Sequence, residues 1–432
     1  MKTKIYKFKD LGKIITGKTP PTSKLELYGN EYQFITPSDI PTFTERYILS
    51  TERGLSKLGY NKMKSIVLPY NSIGVVCIGS TIGKICLTTS ECITNQQLNS
   101  IIVNKERFDP LYLYYSIRSY IPKIQAITGG TGAGKSILNK TSFEELEIEL
   151  YEEFGIQQKI AKFLSNYDDL IENNNRRIKI LEEMAQKIYK EWFVDFKFPG
   201  HETTTFKDSP LGKIPNDWEV KPIEKLLIHQ IGGGWGNEIK TDKYNTPAYV
   251  IRGADIPNGR QGCIENCPLR YHTSSNLKTR TLNENDIVFE VSGGSKGQPV
   301  GRTLILNKNL FNQFKNNVIC ASFCKLLRVD QTQIIPEYIY LHLLNIYNNG
   351  EIEKYQTQST GIINFKFNFF LENEKILIPE QNIISKFEKI IKPIFDEIFL
   401  LGNKNQVLKQ TRDILLPRLI SGEINVENME IQ

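Results

Sequence analysis

Residues 154–192 read FGIQQKIAKFLSNYDDLIENNNRRIKILEEMAQKIYKEW, and the periodicity of this stretch decides the architecture. Counting from Ile160, apolar side chains recur at alternating steps of four and three: Ile160, Leu164, Tyr167, Ile171, Ile178, Leu181, Ala185, Ile188 and Trp192, with Asn174 the one polar position. That alternation is a coiled-coil seam and predicts one long helix. At 1.5 Å of rise per residue the seam is roughly 50 Å long, too long for one compact domain to cover, so a second helix has to bury it. Adding 227 to each number gives Phe387, Ile391, Ile394, Ile398, Leu401, Asn405, Leu408, Arg412, Leu415 and Leu419, and the polar interruption returns with the rest.

Centred on each other and antiparallel, the two seams pair residues whose numbers sum to 579, which sets Asn174 against Asn405 and Tyr167 against Arg412. A parallel pairing sets each asparagine against leucine or isoleucine. A buried amide without a partner costs about 1–3 kcal/mol, whereas two facing amides satisfy each other and fix register, so the antiparallel arrangement is expected. The plainer alternative leaves both asparagines in wet gaps that specify nothing.

With 432 residues, 40% hydrophobic and 24% charged, the chain has the composition of a globular protein with room for two or more domains. Its net charge of +6 permits a polyanionic partner without demanding one. Between Met1 and Glu153 there are 19 basic and 15 acidic residues, so any nucleic-acid surface is local. The basic start, Met1 to Asp10, lacks an apolar signal region, and no apolar run approaches the ~18 residues of a membrane span, so a cytoplasmic location is expected. Seven cysteines, an odd number, point to reduced thiols. Cys263-x3-Cys267 and Cys320-x3-Cys324 have spacings that raise zinc, but Cys320, Ser322 and Cys324 alternate along an apparent strand from Val318 to Val329, and core packing is the better reading.

Gly17-Lys18-Thr19-Pro20-Pro21-Thr22 is expected to be a loop, since glycine and paired prolines exclude regular structure. Pro110 to Ile124 reads as a helix, and Asn95-Gln96-Gln97 sits between apolar residues where amides either close a turn or read base edges. Gly129 to Ser136, GGTGAGKS, matches the phosphate-binding loop pattern at every position. That mechanism needs a strand before the loop and a helix after it; here a helical segment precedes and the strand-like Leu146 to Leu150 follows, so a loop whose Lys135 touches a backbone phosphate without hydrolysis is the better reading.

Phe196 to Pro215, with Pro199, Gly200, Pro210 and Gly212, breaks the long helix, and beyond it the chain repeats. Leu211-Gly-Lys-Ile214 echoes Leu11-Gly-Lys-Ile14, and Tyr249 to Pro257 echoes Gln33 to Pro41 at an offset of 216. Gly294 to Arg302 echoes Gly79 to Lys84, Pro336 answers Pro110 at 226, and Ile362-Ile363-Asn364 answers Ile137-Leu138-Asn139 at 225. Slowly growing offsets mark a duplicated domain plus helix. With antiparallel helices the expected result is a dumbbell with two similar globules.

Two similar but non-identical globules suit a reader of a split target. The loops carry candidate DNA contacts: Lys18, Thr19, Lys24, Arg46, Lys64, Lys84, Gln97 and Lys135 in the first, and Trp235, Arg252, Arg260, Arg270, Lys296, Gln298 and Arg302 in the second. Arginine and lysine hold guanine or phosphate and glutamine holds adenine, although each, taken singly, reads as a solvated charge before it reads as a base contact.

The chain resembles the DNA specificity (S) subunits of type I restriction-modification systems over essentially its whole length. The resemblance rests on Gly17-Lys-Thr-Pro20, Asn95-Gln-Gln97, Ile156-Gln-Gln-Lys-Ile-Ala161, the segment Leu181 to Phe196, and Leu416-Pro-Arg-Leu-Ile-Ser-Gly-Glu423. It implies an α+β fold in which two β-rich target-recognition domains are joined by two long helices packed as an antiparallel coiled coil. The implied boundaries are 1–153 and 216–379 for the recognition domains, 154–198 and 380–422 for the spacer helices, 199–215 for a linker and 423–432 for a tail. It further implies double-stranded DNA, two methyltransferase (M) subunits and restriction (R) subunits as partners, with S-adenosylmethionine, Mg2+ and ATP belonging to those partners and no cofactor in this chain.

Three departures from the family pattern stand out. Gly233-Gly234-Trp235-Gly236 replaces the Gly-x-Thr-Pro motif in the second half, Pro393 falls inside the second helix and is expected to kink it, and the phosphate-loop match is foreign to the family. No methylation motif or nuclease carboxylate cluster is visible, and His201, His229, His272 and His342 are scattered, so no enzymatic activity is expected. Two rival readings remain: a coiled-coil scaffold that does not read DNA, and a nucleotide-binding protein acting through Gly129 to Ser136.

Overall fold

The computed structural model describes residues 2–40, 46–129, 137–293, 298–359 and 362–427. Four long helices frame the chain: α1 (Pro110–Gly129), α2 (Phe154–Phe193), α3 (Pro336–Asn348) and α4 (Gln381–Ile420). Two compact units share them, one formed by residues 1–172 with 407–432 and the other by 173–406. Each unit therefore takes part of α2 and part of α4, and the division falls inside these helices rather than at their ends.

The first unit is built on a five-stranded sheet in the order Gly12–Thr16, Leu98–Val103, Ile73–Val76, Ile85–Thr88, Tyr47–Ile48. Ile73–Val76 and Ile85–Thr88 are buried at every position, as strands covered on both faces must be. A three-stranded sheet sets Tyr28–Ile35 between Gly54–Leu55 and Cys92–Thr94, the latter pair parallel. Thr3–Lys7 pairs antiparallel with Glu147–Tyr151, where Ile148 and Leu150 turn inward while Glu147 and Glu149 face water, the period of two that a half-buried strand requires. Tyr112, Leu113, Tyr115 and Ile117 of α1 close the core, which extends to Ile160 and Leu164 of α2 and to Leu416 and Leu419 of α4.

Within this unit the two helix segments run antiparallel: Lys159 Nζ donates to Glu427 O at 2.5 Å, and further along α2 Asp168 meets Arg412. The seam arithmetic sets Tyr167 against Arg412; the side chain that bonds Arg412 is that of the next residue, Asp168. The reason is electrostatic. Arg412 is 1% exposed, and a buried guanidinium needs a counter-charge, which Asp168 supplies while also accepting from Tyr115 OH at 2.5 Å.

In the second unit a four-stranded sheet runs Leu227–Gly232, Cys324–Val329, Ile287–Glu290, Thr303–Ile305. A three-stranded sheet sets Thr246–Ile251 between Leu269–His272 and Asn317–Cys320, again with one parallel pair. A further small sheet orders Ser292–Gly293, Ile362–Phe365 and Gln356–Ser359. Here too the helices are antiparallel. Asn174 Nδ2 donates to Asn405 Oδ1 at 2.9 Å, Asn405 Nδ2 passes the interaction on to Asn175 Oδ1 at 2.8 Å, and Trp192 packs on Phe387 with ring centroids 5.7 Å apart. The facing amides are buried, so the wet-gap alternative does not describe them. α4 stays helical through Pro393.

The segment after α2 is more structured than a plain linker: Phe206–Ser209 pairs with Gly212–Pro215 as a hairpin, with Gly212 at φ +88° in the turn. Val318 to Val329 also differs from its reading as one strand. It is two, Asn317–Cys320 and Cys324–Val329, separated by a turn whose tip is Phe323.

Candidate nucleic-acid interface

In the first unit the loop after Gly12–Thr16 lies against the turn that joins Cys92–Thr94 to Leu98–Val103. Gly17 N–H donates to Leu98 O at 3.1 Å and Lys18 N–H to Thr94 O at 2.9 Å. A Cβ on Gly17 would stand 2.1 Å from Asn95 O, so this approach requires glycine. The turn is closed by Leu98 N–H to Asn95 O at 3.2 Å, Asn95 N–H to Ile35 O at 2.9 Å and Cys77 N–H to Gln97 O at 2.8 Å.

The second unit repeats all five bonds. Gly233 N–H donates to Cys324 O at 3.0 Å, Gly234 N–H to Cys320 O at 2.9 Å, Cys324 N–H to Ala321 O at 2.9 Å, Ala321 N–H to Ile251 O at 2.8 Å, and Val291 N–H to Phe323 O at 2.8 Å. A Cβ on Gly233 would again be 2.1 Å from a carbonyl, that of Cys320. The matched bonds equate Thr19 with Trp235, Gln96 with Ser322 and Gln97 with Phe323. Main-chain groups hold both frames, so the side chains at their tips differ at no cost to the frame.

Around the first frame, Lys18, Lys24 and Lys62 line a cavity of about 280 Å³ together with Thr19, Pro20 and Ser65. Lys64 is exposed close by in sequence. Thr19 Oγ1 donates to Gln96 Oε1 at 2.5 Å. Gln97 is half-buried, its carbonyl taking Asn95 Nδ2 at 3.0 Å and its amide reaching Ile78 O at 3.4 Å, so Gln96 is the amide that faces outward.

Several candidate cations turn inward. Arg46 is 3% exposed and lies against Asp169 and Glu172 of α2, the latter at 3.1 Å. Lys84 Nζ donates to Pro37 O at 3.0 Å and Ile40 O at 2.7 Å. Arg302 holds Glu290 through two bonds, Nε at 2.8 Å and Nη2 at 2.5 Å. Arg252 grips Asp255 in the same way, at 2.9 and 2.8 Å, and the bond to that carboxylate raises its already high pKa. Arg260 Nε donates to Thr303 O at 2.8 Å. Arg46, Lys84, Arg260 and Arg302 thereby shape the loops, whereas the Arg252 side chain, 38% exposed, still reaches the surface.

Outward in the second unit are Trp235, with the Arg270 guanidinium 4.7 Å over its ring, and Gln298. Arg270 also pairs with Glu238 at 2.5 Å. Lys135 and Lys296 lie outside the described residues. The phosphate-loop match begins at Gly129, the last residue of α1, and the next elements are a short helix, Lys140–Glu144, and the strand Glu147–Tyr151. A helix therefore stands where a nucleotide-binding loop needs a strand. Burial pushes the Cys320 thiol up to about 12 and raises the Cys324 thiol well above its ordinary value, which disfavours the thiolate that zinc requires. Among the described residues no three His, Cys, Asp or Glu side chains gather as a metal site, and no helix is long and apolar enough to cross a membrane.

Residues 2–183 match the family described as type I restriction modification DNA specificity domain. The specificity subunit of the type I restriction enzyme MjaIX from Methanocaldococcus jannaschii is 28% identical over 98% of this chain and 94% of its own length. The chain is similar to type I restriction-modification DNA specificity subunits, and the family match itself covers its first 183 residues. The HindI specificity subunit of Haemophilus influenzae is 32% identical over 40% of this chain and 38% of its own. The fold is that of the S subunit from M. genitalium, with a TM-score of 0.57 at 14% identity, covering 97% of this chain and 96% of that one.

Sequence reasoning did not single out Lys62, the exposed Phe323 or the exposed Phe369, and within Asn95-Gln96-Gln97 it chose Gln97 where the structure turns Gln96 outward. Lys62 and Gln96 adjoin residues it did select. Nothing in the composition of 321–323 flags the turn that exposes Phe323.

Proposed function

We propose that this chain is the non-catalytic, sequence-specific DNA-binding subunit of a type I restriction-modification complex, and that it reads a bipartite target with one half per β-rich domain. The observation that carries this reading is the doubled frame, one main-chain geometry bearing two sets of side chains: Lys18, Thr19 and Gln96 on the first, Trp235, Ser322 and Phe323 on the second. Lysines around the frames neutralise phosphates and fix position, while the tips meet base edges.

Residues 1–153 and 216–379 are the two readers. The helices, 154–198 and 380–422, serve as spacer and as docking platform for two M subunits, with R subunits completing the nuclease. S-adenosylmethionine, Mg2+ and ATP act in those partners, which perform adenine N6 methylation and ATP-dependent cleavage.

The test is single-molecule mapping of methylated adenine in cells carrying the M partner with and without this chain. A bipartite motif that appears only with the chain, and changes in one half when residues 1–153 are exchanged with those of a relative, is the expected result. A folded, chain-bound M subunit that yields no motif overturns the reading and leaves a scaffold.

A further inference from the structure

The turn at 321–323 places Phe323 at 59% exposure, a large apolar surface at a position that its own main-chain bonds hold fixed. Phe369, in the first turn of the helix Phe367–Asn373, is 53% exposed. Both line one groove of about 620 Å³ whose other lining residues include Lys325, Lys366, Ser292 and Asn364. Lys325 Nζ lies 5.1 Å over the Phe367 ring, and Ser292 Oγ donates to Asn364 Oδ1 at 2.9 Å. Among the described residues no acidic side chain lines the groove. On the other side of the turn the Gly233–Gly234 backbone leads to Trp235, 41% exposed.

Two solvated phenylalanines cost free energy unless a partner covers them. A partner that fits an aromatic floor with a lysine rim and no acid is anionic outside and apolar within, the chemistry of a duplex whose bases lie between phosphates. Resting on the DNA-reading function proposed above, we infer that Phe323 is a specificity-determining residue of the second half-site, making an apolar contact to a base with Phe369 supporting it across the groove. Lys325 and Lys366 hold the flanking phosphates. The equivalent position of the first unit is Gln97, beside the exposed amide of Gln96. The two half-sites are therefore read in different chemical languages: hydrogen bonds in the first, and in the second a thymine methyl or an unstacked step.

The experiment uses the whole complex and the bipartite motif mapped for the unaltered chain. Phe323→Ala and Phe323→Gln are compared with Phe369→Ala, by motif mapping and by binding to duplexes in which each thymine of the second half-site is replaced in turn by uracil. Loss of a good base contact corresponds to about tenfold or more in affinity. The expected result is such a loss confined to the second half-site, with relaxed base choice at one or two positions and the first half unchanged. Loss of the uracil effect at one thymine in Phe323→Ala identifies a methyl contact; relaxed choice without any uracil effect identifies a wedge. Both results support the inference. An unchanged motif and affinity overturns it, as does an equal loss on all sequences. Failure of the unaltered complex to show any bipartite motif refutes the DNA-reading function itself. Phe323 is exposed, so its variants should fold, and thermal melting checks this.

Discussion

Arg302 closes a two-bond fork on Glu290, a carboxylate whose side chain is 3% exposed. A cation that a sequence reader assigns to DNA is thereby committed to holding a strand to its neighbouring loop. Arg302→Ala strands a buried charge, and the expected cost is about 3–5 kcal/mol of unfolding free energy. Replacing both members, Arg302→Met with Glu290→Met, should recover most of it. Urea denaturation of the two variants and the unaltered chain decides the matter, and an Arg302→Ala protein of full stability that binds DNA poorly would return Arg302 to the interface.

Asn174 and Asn405 offer a second test of pairing. Asn174→Leu leaves the Asn405 carbonyl without its donor inside the helix pair, at an expected cost of about 1–3 kcal/mol. The double replacement Asn174→Leu with Asn405→Leu should be close to neutral, because apolar pairs fill a seam well. A double-mutant cycle in denaturant gives the coupling, and additive costs would show that the two amides act independently.

Glu374 sets a pH dependence. Burial alone would raise its pKa, but His342, Tyr355 and Lys354 outweigh burial and bring it from the ordinary 4.5 to about 2. A depressed carboxylate contributes stability that is fully present above 4.5 and is lost as the pH falls toward 2. A shift of that size corresponds to roughly 3 kcal/mol. Wild type should therefore lose more stability than Glu374→Gln across this window, and parallel curves in acid-titrated melts would rule the carboxylate out.

Lys18, Lys24 and Lys62 share one cavity, and their joint replacement by glutamine tests phosphate contact. Each lost contact should flatten the dependence of log affinity on log salt by about 0.9, with stability unchanged to within about 0.5 kcal/mol. Arg46→Gln is the contrasting variant, since its buried guanidinium, held by Asp169 and Glu172, predicts a folding defect instead.

The helices and the duplication were legible because both are periodic. The four-three alternation from Ile160 to Trp192 returns at Phe387 to Leu419, and neither depends on knowing the tertiary structure. The fate of the loop cations was not legible. Arg46 meets a carboxylate 123 residues away and Lys84 meets backbone carbonyls more than 40 residues away, partners that topology alone selects. The turn at Phe323 was hidden for another reason. The largely apolar run from Val318 to Val329 satisfies a single strand, and Ala321-Ser322-Phe323 contains none of the glycine, proline or asparagine that marks a turn.

Ile160 and Leu164 share their core with Leu416 and Leu419, so the first unit is closed by residues that are made long after its other half. Ile160 and Leu419 are 259 positions apart in the chain. At about 5–20 residues per second, translation takes roughly 13 to 50 seconds to cover that distance. For that interval the nascent seam faces the cell unpaired, and a chaperone or an early-binding partner has a window in which to act on this half of the protein before it acts on the other.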